Sequence, residues 1–294
     1  MNTTLSIHIF PTELGRYTRL IDKINEAYVY ADPPGNTISV HTTLNLNDSL
    51  ISWSKSNFNK REVIQEFEKI NNTLLSHDNV CGYTTDRKFL GVNEHRRQSI
   101  QRYANADSII FLDTDIYFRK QILKHQIDAY NKIDPNSWFI VSPQTVRLWD
   151  DTWDCIVNEK YIKKQTGYHL QVDPLDIVST EHGNVFLKPI DTFKWGGGWF
   201  NSISPKLLSK IGIPDSFVGY GPDDTYIMVC ADILKRGGYN VQQYILQNEL
   251  IVEEPTKDQN DPYNKIPMED VASELRESSE RNFQSEVKNF LSKL

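Results

Sequence analysis

The stretch that decides the reading is Ser108-Ile109-Ile110-Phe111-Leu112-Asp113-Thr114-Asp115. Five residues without a charge, four of them large and apolar, read as a buried strand. The strand delivers two carboxylates at i and i+2, on one side of an extended chain and about 6–7 Å apart. Two such charges repel by roughly 2–3 kcal/mol at an effective dielectric near 20 unless a cation or a proton intervenes. Oxygen-only ligands at a strand end suit Mn²⁺ or Mg²⁺, which then bridges substrate phosphates. The competing reading is two solvated carboxylates in a turn.

Upstream, strand-like and helix-like segments alternate. Thr4–Phe10 alternates apolar and polar residues, Arg16–Tyr30 has helical spacing, and Thr37–Leu46 alternates again. Lys60–Leu75 reads as a helix, Val80–Thr84 as a short strand and Asn93–Tyr103 as a basic helix. That order predicts an α/β fold with a mostly parallel sheet between helices, and ligands beyond the carboxyl ends of its strands. Two places besides Asp113–Asp115 therefore qualify: the end of the first strand at Pro11, Thr12 and Glu13, and the region of Thr84–Arg87. Arg87, Arg96 and Arg97 offer charge for a diphosphate, although basic residues on a helix are also an ordinary solvated face.

Downstream come a Trp- and Asp-rich segment, Leu148–Asp154, and then Lys194-Trp195-Gly196-Gly197-Gly198-Trp199-Phe200. Glycines allow close approach of a backbone to a ligand, and Trp195 and Trp199 offer apolar faces for a sugar ring. Gly219-Tyr220-Gly221-Pro222-Asp223-Asp224 reads as a tight turn opening a helix, whose dipole favours the two acids. Helix-end stabilisation alone would also account for Asp223 and Asp224. From Val252 the chain turns polar and Pro-containing, and Met268–Leu294 is a charged helical pattern. We therefore divide the chain into residues 1–254, with halves 1–118 and 119–254, and a linker and helical tail at 255–294. The tail offers residues for packing on the body, for pairing two chains or for resting on a membrane surface.

The chain has 294 residues with 32 Lys+Arg against 39 Asp+Glu, a net charge of −7 that speaks against wholesale polyanion binding. No apolar run reaches the roughly 18–20 residues that span a bilayer. No basic region followed by an apolar one opens the chain, so a cytoplasmic protein is expected. Three scattered cysteines (Cys81, Cys155 and Cys230) suit neither a disulfide framework nor a zinc cluster.

Taken together, Phe111–Asp115, Gly197–Ser204, Gly212–Pro214 and Gly219–Asp224 resemble, in order and spacing, the motifs of the GT-A glycosyltransferases. The similarity is greatest to the inverting β-1,4-galactosyltransferase-like branch, and it covers roughly residues 92–235. It implies a GT-A, Rossmann-like fold and transfer of a sugar from a nucleotide-sugar, a UDP-sugar by family preference, to a glycan or other hydroxyl acceptor. By resemblance Asp113 contacts the ribose or the metal, with Thr114 beside it, and Asp115 is the direct metal ligand. Asp223 matches a Glu that holds the acceptor, and Asp224 matches the Asp that serves as catalytic base. Tyr220 stands where the family has Trp, beside Gly197, Gly198, Trp195 and Trp199 in the sugar or acceptor site. The family's later metal-binding His has no counterpart, which leaves Asn248, Glu249 or His182 as candidates. Two other readings stay open. One is a haloacid-dehalogenase-like phosphatase, weakened by Tyr117 at its fifth motif position. The other is a carbohydrate- or nucleotide-binding module without catalysis.

Overall fold

A computed structural model describes residues 1–31, 35–75, 78–84, 91–147, 173–180, 183–191, 193–194, 200–254, 261–269 and 271–294. The N-terminal half follows the alternation read from sequence. β1 (Asn2–Ile9), α1 (Leu14–Ala31), β2 (Thr37–Asn45), α2 (Lys60–Asn71), β3 (Asp78–Thr84), α3 (Val92–Arg102) and β4 (Ser108–Leu112) occur in that order. β5 (Ile116–Phe118), α4 (Ile122–Tyr130), β6 (Trp138–Arg147), α5 (Pro174–Ser179), β7 (Phe186–Ile190) and β8 (Phe200–Ile203) follow. The chain then runs through α6 (Pro205–Ile211), α7 (Asp223–Arg236), β9 (Val241–Glu253) and α8 (Val271–Ser292).

One sheet joins the described strands in the order β3-β2-β1-β4-β8-β6-β9-β5, with β7 also on β9. The expected parallel pairing holds for β3-β2, β2-β1, β1-β4 and β6-β9. The second half adds antiparallel pairs, β4-β8, β6-β8, β5-β9 and β7-β9, so the whole is a mixed α/β sheet flanked by helices. β4 is buried along its whole length because it has helices on both faces. Ile110 and Leu112 join one core with α1 and α2, while Ile109 and Phe111 join the other with α6 and α7. Asp113 and Asp115 are thereby held just past the carboxyl end of a fixed central strand.

The C-terminal segment is anchored to the body. Asp261 caps the turn at Tyr263 and accepts from the Gly15 N–H (3.1 Å), and Glu269 N–H donates to Leu50 O (2.7 Å). α8 lays Phe283 against Phe217 and Tyr226, and Phe290 against Tyr226. The aromatic side of α8 thus packs on α7 and the loop before it, the first of the three roles the sequence offered it. Among the described residues no helix is long and apolar enough to cross a membrane, and Cys230 is a free, buried thiol.

Candidate active site

The end of β1 with the turn after it, the start of α3, the loop after β4, the start of α7 with the loop before it, the end of β9 and α8 converge on a cleft of about 620 Å³. Among its described lining residues are seven acids (Glu13, Asp113, Asp115, Asp223, Asp224, Glu253 and Glu280) against two arginines, Arg96 and Arg276. That excess makes the cleft a place for a cation before it is a place for a phosphate.

Arg96 organises it. Its side chain is 6% exposed, and it donates through Nη1 to Asp223 Oδ2 (2.7 Å) and through Nη2 to Asp113 Oδ1 (3.1 Å). The guanidinium also lies 4.9 Å over the Phe111 ring. One fork therefore holds an acid of the β4 pair and an acid of the α7 pair in a fixed relation. The loop carrying Asp223 is pinned from the same helix. Gly219 N–H donates to both oxygens of Glu94 (2.9 and 3.1 Å), and Asn93 N–H donates to Gly219 O (3.2 Å). Gly219 has φ +75°, and a Cβ there would press on Leu275 of α8.

Asp224 follows in the first turn of α7, its Oδ1 accepting from Thr225 N–H (2.6 Å) and Thr225 Oγ (3.3 Å). Burial and the neighbouring Asp223 push its carboxyl up to about 6, against the pull of Arg96. Burial pushes Asp113 well above the usual carboxylate range, opposed by Arg96 and reinforced by Asp115, Glu253 and Asp223. Asp115 is raised by burial too, with Arg16 opposing. Glu13 is raised by burial and by Asp115, while it accepts from Phe10 N–H (2.8 Å) and Thr114 Oγ (3.1 Å). Acids that resist ionisation in one cleft are what a divalent cation would relieve.

Asp115 Oδ1 is closed to solvent and has no hydrogen-bond partner among the described residues. Asp113 and Asp115 thus fit a hard divalent ion. Among the described residues no three acidic, imidazole or thiol groups stand close enough to enclose one, so most coordination positions would fall to substrate and water.

The third ligand is where the sequence reading departs from the structure. Asn248 does not reach the cleft: its Nδ2 donates to Asn184 O (3.0 Å) and its N–H to Gln144 Oε1 (2.9 Å). Glu249 is fully buried against Arg119 and His125. Instead β9 brings Glu253 opposite Ile116, and the Glu254 N–H to Asp115 O (2.7 Å), so that Glu253 lines the cleft. The signal was present: Leu250-Ile251-Val252-Glu253 repeats the apolar run ending in an acid that marks Asp113.

Arg97, expected at a diphosphate, is turned away. It donates to Pro214 O (2.6 Å) and Phe217 O (3.0 Å) and pairs with Glu94 and Asp215, which makes it a strut for the loop leading to Asp223. Pro11 and Thr12 are buried in a short 3-10 turn whose last residue, Glu13, alone of the three lines the cleft, beside Thr114. Tyr220 also lines the cleft, its ring stacked on Phe10 at 5.8 Å and 9°. Arg87, Trp195, Gly197, Gly198, Trp199 and His182 lie outside the described residues, as do Trp149 and Trp153. Also unforeseen, besides Glu253, are His8 at the end of β1 and Arg276 and Glu280 on α8. Burial and Arg96 lower the His8 imidazole to about 3, so it stands neutral.

Comparison with protein-family models gives no match, and none of the curated proteins matches. Solved structures give distant likenesses. A mannosyltransferase, PcManGT from Pyrobaculum calidifontis, solved with GDP-Man and Mn²⁺, is 16% identical over 88% of this chain and 58% of its own, at a TM-score of 0.49. GalNAc-T7, solved with UDP, GalNAc and Mn²⁺, is 10% identical over 86% of this chain and 44% of its own, at 0.46. An inositol-1-phosphate CTP transferase from T. maritima is 12% identical over 90% and 93%, at 0.45. The chain spans about half the length of the first two. At these identities and scores, the function rests on the geometry of the cleft itself.

Proposed function

We propose that this chain is a metal-dependent glycosyltransferase that moves a sugar from a nucleotide-sugar to an acceptor hydroxyl, with inversion at the anomeric carbon. The observation that carries the reading is the Arg96 fork, which joins Asp113 of the β4 pair to Asp223 of the α7 pair across one cleft. A transferase needs a place for the donor diphosphate beside a base for the acceptor, and two acid pairs held in one cleft by a single arginine support that reading.

Asp113 and Asp115 would hold Mn²⁺ or Mg²⁺, with Glu253 near them. Such an ion, when bound, offsets charge on the leaving diphosphate. Asp224 is the base: its carboxylate takes the proton of the acceptor hydroxyl as that oxygen bonds to the anomeric carbon. The bond from that carbon to the diphosphate breaks on the opposite face, and its electron pair leaves with the nucleoside diphosphate. With its carboxyl titrating at about 6, Asp224 is largely ionised at pH 7 and still basic enough to accept a proton. Asp223 is held by Arg96 and orients the turn, while Asp224, held among the described residues only by its neighbour Thr225 through Oδ1, is the carboxylate that would meet the acceptor. Glu280 and Arg276, at the outer edge, face whatever the acceptor carries beyond its reacting hydroxyl.

A phosphatase would use Asp113 as nucleophile, but Tyr117 stands at the fifth position of its motif, where that class has Thr or Val. The deciding experiment is Asp224→Asn. A transferase retains nucleotide-sugar and metal binding but loses transfer by about 10²–10⁴-fold. A phosphatase keeps phosphate release, and a simple binder loses nothing measurable.

A further inference from the structure

Next to Asp115, but outside the lining of the cleft, α1 and β9 share a second knot of charge. The register that sets Ile116 opposite Glu253 sets Asp115 opposite Glu254 one step on, where the Glu254 N–H donates to Asp115 O (2.7 Å). Two acids directly opposite each other in an antiparallel pair repel. α1 answers them with Arg16 and Arg19, whose spacing puts both on one face of the helix. Both go to Glu254. Arg16 Nε lies 2.6 Å from its Oε2, and Arg19 Nη1 and Nη2 lie 3.4 Å from Oε1 and Oε2. Tyr117 of β5 completes the arrangement, its hydroxyl donating to Glu254 Oε1 (3.2 Å) and its ring lying 4.1 Å from the Arg19 guanidinium above it. The Arg16 and Glu254 side chains are each 11% exposed, so water screens these charges little.

Guanidinium forks are natural bidentate partners of carboxylates, so two of them beside a metal-binding acid would compete with the metal. One oxygen of Asp115 escapes them: Oδ1 accepts no hydrogen bond among the described residues. The charges are nevertheless felt there. Burial raises the Asp115 carboxyl, Arg16 and Arg19 lower it, and Glu254 raises it. We infer that Glu254 is a positioning residue for the metal: by holding Arg16 and Arg19, it keeps the Asp115 carboxylate open to a divalent cation. This rests on the metal reading of Asp113 and Asp115, and it adds a residue that acts through Asp115 rather than on the ion. It also gives α1 a place in the site, since Asp261 pins the start of that helix at the Gly15 N–H (3.1 Å). Removing the Glu254 carboxylate acts twice in one direction. It takes a negative charge from the neighbourhood of a bound cation, and it releases two guanidiniums toward Asp115. Removing Arg16 acts the other way.

The test is calorimetric titration of Mn²⁺ alone into the full chain and its Glu254→Gln, Arg16→Gln and doubly substituted variants. Asp115→Ala serves as the control, and thermal unfolding is followed in parallel. Glu254→Gln, folded, should bind Mn²⁺ about tenfold or more weakly than the wild type. Arg16→Gln should bind it at least as tightly as the wild type, and the double variant should recover to within about threefold. An ion pair kept only for packing predicts that the two single variants weaken binding alike. That result would overturn the inference, as would wild-type affinity in folded Glu254→Gln or a double variant no tighter than Glu254→Gln. Should Glu254→Gln fail to fold, Arg16→Gln decides by itself: weaker Mn²⁺ binding overturns the inference, and equal or tighter binding upholds it. Mn²⁺ binding that survives in Asp115→Ala, or a wild type that binds none, would overturn the metal reading, and this one with it.

Discussion

Replacing Arg96 by Met tests the organisation of the cleft most sharply. The substitution keeps an unbranched side chain over the Phe111 ring but deletes the fork that reaches Asp113 and Asp223. The guanidinium is 6% exposed and Asp223 4% exposed, so breaking this pair leaves a buried carboxylate without its cation, at a cost of about 3–5 kcal/mol. An unfolding entropy of about 2.1 cal/mol/K per residue gives roughly 0.6 kcal/mol/K for a chain of this length, which places the fall in Tm near 5–8 °C at pH 7–8. The size of the fall depends on pH with a definite sign. Arg96 lowers the carboxyls of both Asp113 and Asp224, whose folded values already stand above their unfolded ones. Without Arg96 both rise further. A raised carboxyl favours the folded chain where it is protonated and costs stability as pH climbs through its folded value. The gap between variant and wild type should therefore widen from pH 5 to pH 8 in metal-free buffer, and calorimetry at four pH values reads it. An equal fall at every pH, or none, would refute the argument that this arginine is the counter-charge of the cleft.

Three further outcomes follow from other contacts. If Asp224 is the base, kcat/KM should rise with pH through about 6 and level above 7, because only the ionised carboxylate accepts the proton; a profile that falls over that range would contradict the assignment. Arg97→Ala should lower Tm, since it frees the Pro214 and Phe217 carbonyls, yet leave nucleotide affinity within about twofold; a large loss of affinity would return Arg97 to the diphosphate. In Gly91→Ala the new Cβ would overlap the Gly219 carbonyl and push the Asp223 loop from α3, so both stability and turnover should drop, by about 1–3 kcal/mol in the former; unchanged melting would show that this approach is not tight.

The strand before Asp113 was legible because a strand covered on both faces must be apolar throughout, and Ile109–Leu112 are. The acids at 113, 115, 223 and 224 were legible because carboxylates at a strand end and in a helix's first turn follow local rules. What sequence could not reveal depends on partners far along the chain. Arg96 and Arg97 are neighbours with the same chemistry, but the turn of α3 sends one into the cleft and the other to Pro214 and Phe217. Asn248 and Glu253 lie five residues apart on β9, and only pairing with β5 determines which arrives beside Asp115. His8 looked like a polar residue in an alternating strand until α3 was packed over it. The antiparallel pairs of the second half were hidden because β8 is four residues long and β9 meets three partners along its length.

The central claim is that Asp113 and Asp115 hold a metal that in turn holds a nucleotide-sugar. Thermal unfolding of the wild type and of Asp115→Ala, with UDP-sugars and GDP-sugars in the presence and absence of Mn²⁺, tests it most directly. One sugar nucleotide should raise the wild-type Tm only when Mn²⁺ is present, and Asp115→Ala, folded, should lose the response. Stabilisation that ignores the metal, or that survives in Asp115→Ala, would contradict it.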